Sequence, residues 1–219
     1  MIKVAVILCG SGRFDGSEIH ESVLTLLHLT NAGAEWMAFA PDAPQWAVCE
    51  HFEGAAVEGQ DRNQLQEASR IARGQIKPLT EARAEDFDAL ILPGGNGTAS
   101  NLCDFASKGA AGSVRPELAK LMTDFHKAGK VIGSICIAPA IVAMALGEHH
   151  PELTLGASQD DTAKETSKTG AQMIECGVEE IHVDQKNNLV STPAYMLGPD
   201  IAAVNVGIGK LVGEVLSRV

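Results

Sequence analysis

The 219-residue chain has 28 acidic and 17 basic residues, giving a net charge of −11 at pH 7. Nucleic acids and most membrane surfaces are anionic, so this charge argues against both as partners. Apolar residues make up 45% of the chain and charged residues 21%. This is the composition of an ordinary globular protein, and we expect residues 1–219 to fold as a single domain.

The cysteines and the hydropathy pattern indicate a compartment. Five cysteines are odd in number, and none forms a CxxC pair. This predicts reduced thiols and neither disulfides nor a zinc site. The paired histidines at 149–150 have no third ligand at a recognisable spacing, so we expect a solvated loop there and no metal. We find neither a signal peptide nor an apolar run of membrane-spanning length, and we expect a cytoplasmic protein.

The chain opens with a strand and a glycine-containing loop. Residues 2–8 form a nearly continuous apolar run, typical of a parallel strand buried on both faces. The glycines of the loop 9–16 have GxGxxxG spacing instead of GxGxxG, and Asp42, the acid after the next strand, lies too far along for a ribose contact. We therefore expect no dinucleotide cofactor.

A helix is expected from Asp15 to about residue 30. Asp15 and Glu18 have the spacing of a capping box, with Asp15 at the N-cap and Glu18 at the third helical position. The helical wheel sets Glu21 opposite the apolar stripe, which by itself predicts a solvated or interface carboxylate. His20 and His28 are expected at the surface or in a dimer interface. The expected core stripe is Ile19, Val23, Leu26 and Leu27.

A second buried strand, residues 88–92, runs into the glycine turn 93–97. Glycines let backbone amides approach a ligand closely, so the amide of Gly95 is a candidate oxyanion donor. Taken alone, however, the turn is better explained as a tight strand–helix loop. The loop-rich segment 41–62 before it is expected to border either the site or a subunit contact.

The most informative stretch is 130–147. An apolar strand ends at Cys136, and a helix rich in Ala, Ile, Met and Leu follows and stops at Gly147. Small residues, Ser134 and Ala138, lie two positions before and two positions after the cysteine, as a sharp strand-to-helix turn requires, so the pattern predicts a nucleophile elbow. A thiol at a helix N-terminus is expected to have a lowered pKa, and the amide of Ile137 faces an oxyanion formed on attack. The competing interpretation is a small buried cysteine without chemistry.

Alternating strands and helices predict the fold class α/β, a three-layer sandwich with a mostly parallel sheet of the flavodoxin-like or class I glutamine amidotransferase-like kind. Residues 181–184 and 188–191 are expected to form a hairpin, and residues 200–216 a closing helix. In such sheets ligands bind beyond the carboxyl ends of the strands. The loops after the first strand, after residue 92 and after residue 135 should therefore meet in one site.

Five motifs, taken together and in order, resemble the DJ-1/PfpI superfamily, relatives of class I glutamine amidotransferases, and more narrowly its ElbB-type isoprenoid biosynthesis members. They extend from the first loop almost to the last helix, so the resemblance covers essentially the whole chain. The motifs lie at residues 92–97, 133–139, 15–21, 101–102 and 192–197.

The resemblance implies roles that the local pattern does not give. It makes Glu21 the partner of the cysteine and its proton shuttle, against the helical-wheel reading, with Glu18 in reserve. It also implies that Gly94, Asn101 and Tyr195 line the pocket, and that the protein forms a homodimer. Many members of the superfamily place a histidine beside or some twenty residues after the cysteine, but Ile137 follows Cys136 here and residues 154–181 contain no histidine.

A Cys-His hydrolytic dyad is therefore poorly supported, and with it protease or amidotransferase activity. The remaining Cys-Glu pair implies a cofactor-independent, glutathione-independent glyoxalase, a lyase of the hydro-lyase type that converts glyoxal or another small dicarbonyl to glycolate. In this interpretation Cys136 forms a hemithioacetal and Glu21 transfers a proton. The alternative is a redox-sensing or regulatory stress protein with a reactive cysteine, linked to isoprenoid biosynthesis.

Overall fold

A computed structural model describes residues 1–198 and 200–219. Its centre is a seven-stranded sheet in the order β10-β11-β7-β6-β1-β2-β5, in which only β10 runs antiparallel to its neighbour. The short strands β3 and β4 form a hairpin outside this sheet, and β8 pairs with β9. The strands are β1 (Lys3–Ile7), β2 (Glu35–Ala40), β3 (Cys49–Glu50), β4 (Ala55–Ala56), β5 (Ile76–Pro78), β6 (Ala89–Leu92), β7 (Val131–Ile135), β8 (Glu152–Gly156), β9 (Gln172–Glu175), β10 (His182–Asp184) and β11 (Leu189–Thr192).

Helices cover both sides of the sheet, which confirms the expected α/β sandwich. Helix α1 packs on α8, and α5 packs on α6. The central strands carry apolar residues on both faces because both faces are covered, and residues 4–7 of β1 are fully buried. The helices are α1 (Ile19–Asn31), α2 (Gln64–Ala72), α3 (Thr98–Asn101), α4 (Phe105–Lys108), α5 (Pro116–Lys127), α6 (Ala138–Leu146), α7 (Asp161–Ser167) and α8 (Ile201–Ser217).

Three adjacent strands, β7, β6 and β1, form the middle of the sheet and run in the same direction. Their carboxyl ends therefore lie side by side at one edge, the place where parallel α/β sheets bind ligands. The loops that leave these ends carry the elbow, the glycine turn and the segment before α1. The expected hairpin is also present, as β10 and β11.

Helix α1 begins later than the capping-box pattern predicts. Glu18 is itself the N-cap, and its carboxylate accepts a 2.8 Å hydrogen bond from the amide of Glu21. Asp15 lies in the preceding loop, fully buried, where its Oδ2 accepts a 2.7 Å bond from the amide of Cys49. The prediction of Asp15 as N-cap is wrong, because a distant backbone amide takes the carboxylate that the local spacing assigned to the helix.

The expected apolar stripe of α1 is also wrong in its direction. Ile19, Val23 and Leu27 are 43%, 46% and 47% exposed, and only Leu26 of the predicted set is buried. The buried face carries the hydroxyl groups of Ser22 and Thr25. These donate 2.7 Å hydrogen bonds to the backbone carbonyls of Glu18 and Glu21, respectively. Half of the residues on this face are polar, and one of them, Glu21, reaches the site. The buried residues of α1 are Glu21, Ser22, Leu24, Thr25, Leu26 and Leu29.

The buried apolar side chains form one cluster that extends from Val4 to Val215. Within residues 1–198 and 200–219, no helix is both long and apolar enough to cross a membrane.

Candidate active site

Cys136 occupies a sharp turn between β7 and α6. Its φ is +61°, a left-handed backbone conformation that is uncommon outside glycine and clusters at functional sites. The turn is held by the amide of Cys136, which donates a 3.0 Å bond to the carbonyl of Thr192. Gly147 follows the last residue of α6, as the sequence predicts. These features confirm the predicted sharp strand-to-helix turn at Cys136, and the role of the cysteine as a nucleophile stays a prediction.

Glu21 lies beneath this cysteine and is completely buried. Its carboxyl lies beside the Cys136 side chain, and both flank Gly94. The amide of Gly94 donates to Oε2 at 2.9 Å, and the amide of Tyr195 lies 3.4 Å from Oε1. The helical-wheel prediction of a solvated carboxylate is therefore wrong. The resemblance placed Glu21 correctly beside the cysteine. The helical wheel failed because the face of α1 that is buried is not the face with the predicted apolar stripe.

The environment of Glu21 favours its neutral form. Burial, and secondarily the charge of Glu18, raise the pKa of Glu21 to about 7, against the opposing hydrogen bonds from Cys136 and from the two backbone amides. Glu21 is therefore poised to gain or lose a proton near neutral pH. A general acid–base group works best with its pKa in this range.

The pKa of the Cys136 thiol does not follow the helix-dipole expectation. Burial raises it well above the usual value, and anionic Glu21 beside the sulfur raises it further. The amides of Gly95 and Ile137 act in the opposite direction, but burial outweighs them. The predicted lowering is wrong, because Cys136 is only 7% exposed and its thiol loses hydration that a helix terminus does not replace.

Two backbone amides converge on the sulfur, those of Gly95 and Ile137. Gly95 has φ +111°, and a Cβ there would lie 2.6 Å from the amide nitrogen of Glu18. A Cβ on Gly94 would lie 2.6 Å from that of Cys136 and 2.9 Å from Oε2 of Glu21. Gly94 is thus required by its close approach to Cys136 and Glu21, and Gly95 by its close approach to the backbone that precedes α1. The backbone amides of Gly95 and Ile137 form a candidate oxyanion hole, as the sequence predicts.

A cavity of about 550 Å³ opens onto Cys136, within the range of ligand sites. Tyr195 lines it, as the resemblance implies, whereas Gly94 contributes its amide from behind Glu21. Glu18 also reaches the cavity, but its carboxylate caps α1 and Glu21 holds the place beside the sulfur. The chemically active lining residues are Arg13, Glu18, His20, Asn96, Cys136 and Tyr195.

His20 is a residue of this cavity that the sequence interpretation assigned to the outer surface or to an interface. It is exposed, but its exposed side faces the cavity, where Nδ1 lies 2.8 Å from the hydroxyl oxygen of Tyr195. The sequence signal that could have placed His20 near the cavity is its position immediately before Glu21. The partner, Tyr195, is 175 residues away in sequence, and no local pattern joins the two.

Asn101 does not line the cavity. Its Nδ2 donates a 2.8 Å bond to the carbonyl of Asp15, and its Oδ1 accepts a 2.8 Å bond from the amide of Trp46. Asn101 therefore joins the loop before α1 to the segment 41–62, and its predicted role in the pocket is wrong. That segment borders a neighbouring cavity of about 390 Å³, which shares Phe14 and Asn96 with the first.

A larger cavity, of about 1150 Å³, lies elsewhere, around the amino ends of β1 and β2. It holds no cysteine, so the smaller cavity at Cys136 is the candidate active site. In the part of the chain that the structure describes, no group of three or more His, Cys, Asp or Glu side chains is arranged to hold a metal ion.

The fold and the site together define a class of protein, an α/β sandwich with a cysteine elbow over a buried glutamate. The model of the DJ-1/PfpI family matches residues 14–196, and the chain belongs to this family. Among solved structures, it resembles an isoprenoid biosynthesis protein with an amidotransferase-like domain from Ehrlichia chaffeensis, with a TM-score of 0.93, 32% identity and coverage of 100% of this chain and 99% of the other.

Curated relatives agree with this assignment. The chain is 43% identical to the human mitochondrial glutamine amidotransferase-like class 1 domain-containing protein 3, over 98% of this chain and 82% of the relative. It is 30% identical to the mitochondrial ES1 protein of Danio rerio, over 98% and 85%. The DJ-1beta structure of Drosophila melanogaster, at 18% identity and a TM-score of 0.54, shares the fold.

Proposed function

We propose that the protein is a glyoxalase that needs neither glutathione nor another cofactor and converts glyoxal, or a similar small dicarbonyl, to glycolate. The observation that carries the proposal is the side-by-side placement of Cys136 and Glu21, whose carboxyl has a pKa of about 7. A nucleophile and a proton carrier in direct contact are what an internal oxidation–reduction of a dicarbonyl requires.

In the first step the Cys136 sulfur attacks one carbonyl carbon of glyoxal and forms a carbon–sulfur bond. The carbonyl electrons move to the oxygen, where the amides of Gly95 and Ile137 stabilise the developing charge. This oxygen takes the proton that the cysteine–glutamate pair holds. The products are a hemithioacetal on Cys136 and an anionic Glu21.

In the second step Glu21 removes the proton from the carbon that is bound to sulfur, and the freed electron pair forms an enediolate with the second carbon. Glu21 then returns the proton to that second carbon, while the hydroxyl proton moves from the first oxygen to the second. The result is a thioester of hydroxyacetic acid. Hydrolysis by one water molecule releases glycolate, so the net reaction is the addition of water to glyoxal, and no electron enters or leaves.

Substitution of Glu21→Gln tests this proposal, because Gln keeps the shape of the side chain but cannot carry the proton. We expect Glu21→Gln to lose glycolate formation by about 100-fold or more, while Glu117→Gln, a change of a half-buried residue of α5 outside the cavity, keeps the wild-type rate. Glycolate is measured by nuclear magnetic resonance with chelator present and thiols absent. Equal turnover by Glu21→Gln and wild type would contradict the role of Glu21 and the mechanism.

The same geometry supports a second candidate function, a redox sensor or regulatory stress protein. A neutral carboxyl at Glu21 is able to donate a hydrogen bond to an oxidised Cys136 sulfur. For such a sensor, Glu21→Gln would still react with peroxide but with an altered extent of oxidation, and wild type would show no turnover of glyoxal. A link to isoprenoid biosynthesis is proposed from the name of the Ehrlichia structure.

We propose the cytoplasm as the location and a small aldehyde as the partner, as the composition and the family resemblance predict. The names of the curated relatives carry a mitochondrial location. Fractionation of the source cells, with antibody detection of the chain, decides between the two compartments. The homodimer stays a prediction of the resemblance.

A further inference from the structure

We propose that His20, held by Tyr195, is the general base that activates water for hydrolysis of the thioester on Cys136. This inference rests on the proposed glyoxalase function and adds a residue to its last step. The hydrolysis needs a base other than Glu21, because Glu21 is fully buried and already transfers the proton between the two substrate carbons in the proposed mechanism. A thioester on Cys136 still requires a base on the open side of the cavity.

The cavity offers one histidine for this role. Of the seven histidines in the chain, His20 is the one that lines the cavity at Cys136 among the residues that the structure describes. Glu18, the other group there that is able to accept a proton, already accepts the amide of Glu21 as the helix cap. His20 immediately precedes Glu21 in the first turn of α1, which sets the two side chains about 100° apart, one at the mouth and one beneath the sulfur.

Tyr195 fixes the orientation of this histidine. Its hydroxyl oxygen lies 2.8 Å from Nδ1 of His20, and the two rings are 5.8 Å apart. With Nδ1 engaged, the structure gives Nε2 no hydrogen-bond partner in residues 1–198 and 200–219, so this nitrogen is the one available to water. Tyr195 also contacts Glu21, because its backbone amide lies 3.4 Å from Oε1 of that carboxylate.

The backbone conformation before Tyr195 fixes the position of this residue in the site. Ala194 is fully buried and has φ +42°, a strained conformation for a residue with a Cβ. It opens the 3₁₀ turn Ala194–Met196, which directs the amide of Tyr195 to Glu21 and its hydroxyl to His20. A single turn therefore aligns the proton carrier of the first steps with the base of the last.

The hydrolytic step balances without another reactant. In the tautomer whose Nδ1–H donates to the Tyr195 oxygen, His20 Nε2 is unprotonated, and it takes a proton from water as the water oxygen bonds to the thioester carbon. The carbonyl electrons move to the oxygen held by the Gly95 and Ile137 amides. These electrons return, the carbon–sulfur bond breaks, and the Cys136 thiolate leaves. The proton on His20 returns to the cysteine–glutamate pair, and glycolic acid loses its own proton to solvent.

The test compares His20→Gln with wild type, with His28→Gln as the matched control on the same helix, where His28 bonds to Asn205 outside the cavity. Each protein is mixed with glyoxal and separated rapidly from the excess. Hydroxylamine then converts any thioester into a hydroxamate, and Cys136→Ala provides the background. We expect His20→Gln to make one equivalent of thioester at the wild-type rate and to release glycolate about 100-fold more slowly.

Three results would overturn the inference. His20→Gln could turn over at the wild-type rate, or it could slow without accumulating thioester, which would place the defect before hydrolysis. If wild type makes no glycolate, the proposed function fails and this inference fails with it. Only in the first two cases does the glyoxalase itself survive.

Tyr195→Phe tests the positioning role, since it removes the hydroxyl and leaves the backbone amide on Glu21. We expect about tenfold slower release of glycolate, accumulation of hydroxamate-forming enzyme, and an unchanged rate of thioester formation. Equal slowing of both steps would show a general structural effect and would contradict the positioning role. Circular dichroism of each variant checks that the fold is retained.

Discussion

The ionisation of Glu21 should be visible in the stability of the protein. The carboxyl has a pKa of about 7 in the folded protein and an ordinary value of 4.5. A raised folded pKa means that the folded state binds the proton more tightly than the unfolded chain. Its contribution to stability is therefore fully present below about pH 4.5 and is lost as the pH rises through about 7.

The structure sets the size of this effect. The difference between 4.5 and about 7 corresponds to about 3 kcal/mol of unfolding free energy, at about 1.4 kcal/mol per pH unit. Glu21 is completely buried, so solvent does not screen the effect. Glu21→Gln is neutral at every pH. We expect its stability relative to wild type to improve by about 3 kcal/mol between pH 4 and pH 8.

Urea unfolding measures this difference, followed by circular dichroism at several pH values, with reducing agent and at one chain concentration. Because all other titrating groups are common to the two proteins, their effects cancel in the comparison. Parallel stability curves across this range would refute the reasoning. They would mean that the folded pair already carries one proton at pH 5, on either the sulfur or the carboxyl.

Four further predictions follow from the same geometry. Glyoxal turnover should rise about tenfold per pH unit up to about pH 7, as the pair loses its first proton, and a flat profile would contradict this. Gly94→Ala should abolish turnover, since its Cβ would lie 2.6 Å from that of Cys136, whereas Gly213→Ala, in open space on α8, should stabilise by about 0.5–1 kcal/mol in urea unfolding. Leu29→Ala should cost about 2–5 kcal/mol and exposed Leu27→Ala less than about 0.5, and similar costs would contradict the direction of α1. Light scattering should give twice the 23.0 kDa chain mass, and a single chain mass would exclude the dimer.

The sequence predicts the parts of the fold that depend on neighbouring residues. Apolar runs identify β1, β6 and β7, because strands buried on both faces need little else. Small residues around Cys136 identify the elbow, since a left-handed turn leaves no space for larger ones. The convergence of the loops then follows from the direction of parallel strands.

The errors concern side chains whose partners are distant. Asp15 is taken by the amide of Cys49, and Asn101 by the carbonyl of Asp15, 86 residues away. The direction of α1 fails for a related reason. Its buried face lies against the site and carries Glu21, so the rule that apolar residues turn inward gives the wrong face. His20 is missed as a cavity residue because its partner, Tyr195, lies 175 residues away in sequence.

The central claim is that Cys136 of the metal-free protein converts glyoxal to glycolate. The most direct measurement is glycolate formation by wild type, by Cys136→Ala, and by Cys176→Ala, which removes a buried thiol outside the cavity. The account predicts turnover by wild type and by Cys176→Ala, and none by Cys136→Ala. Glycolate formation that persists in Cys136→Ala, or that is absent from all three, would contradict it.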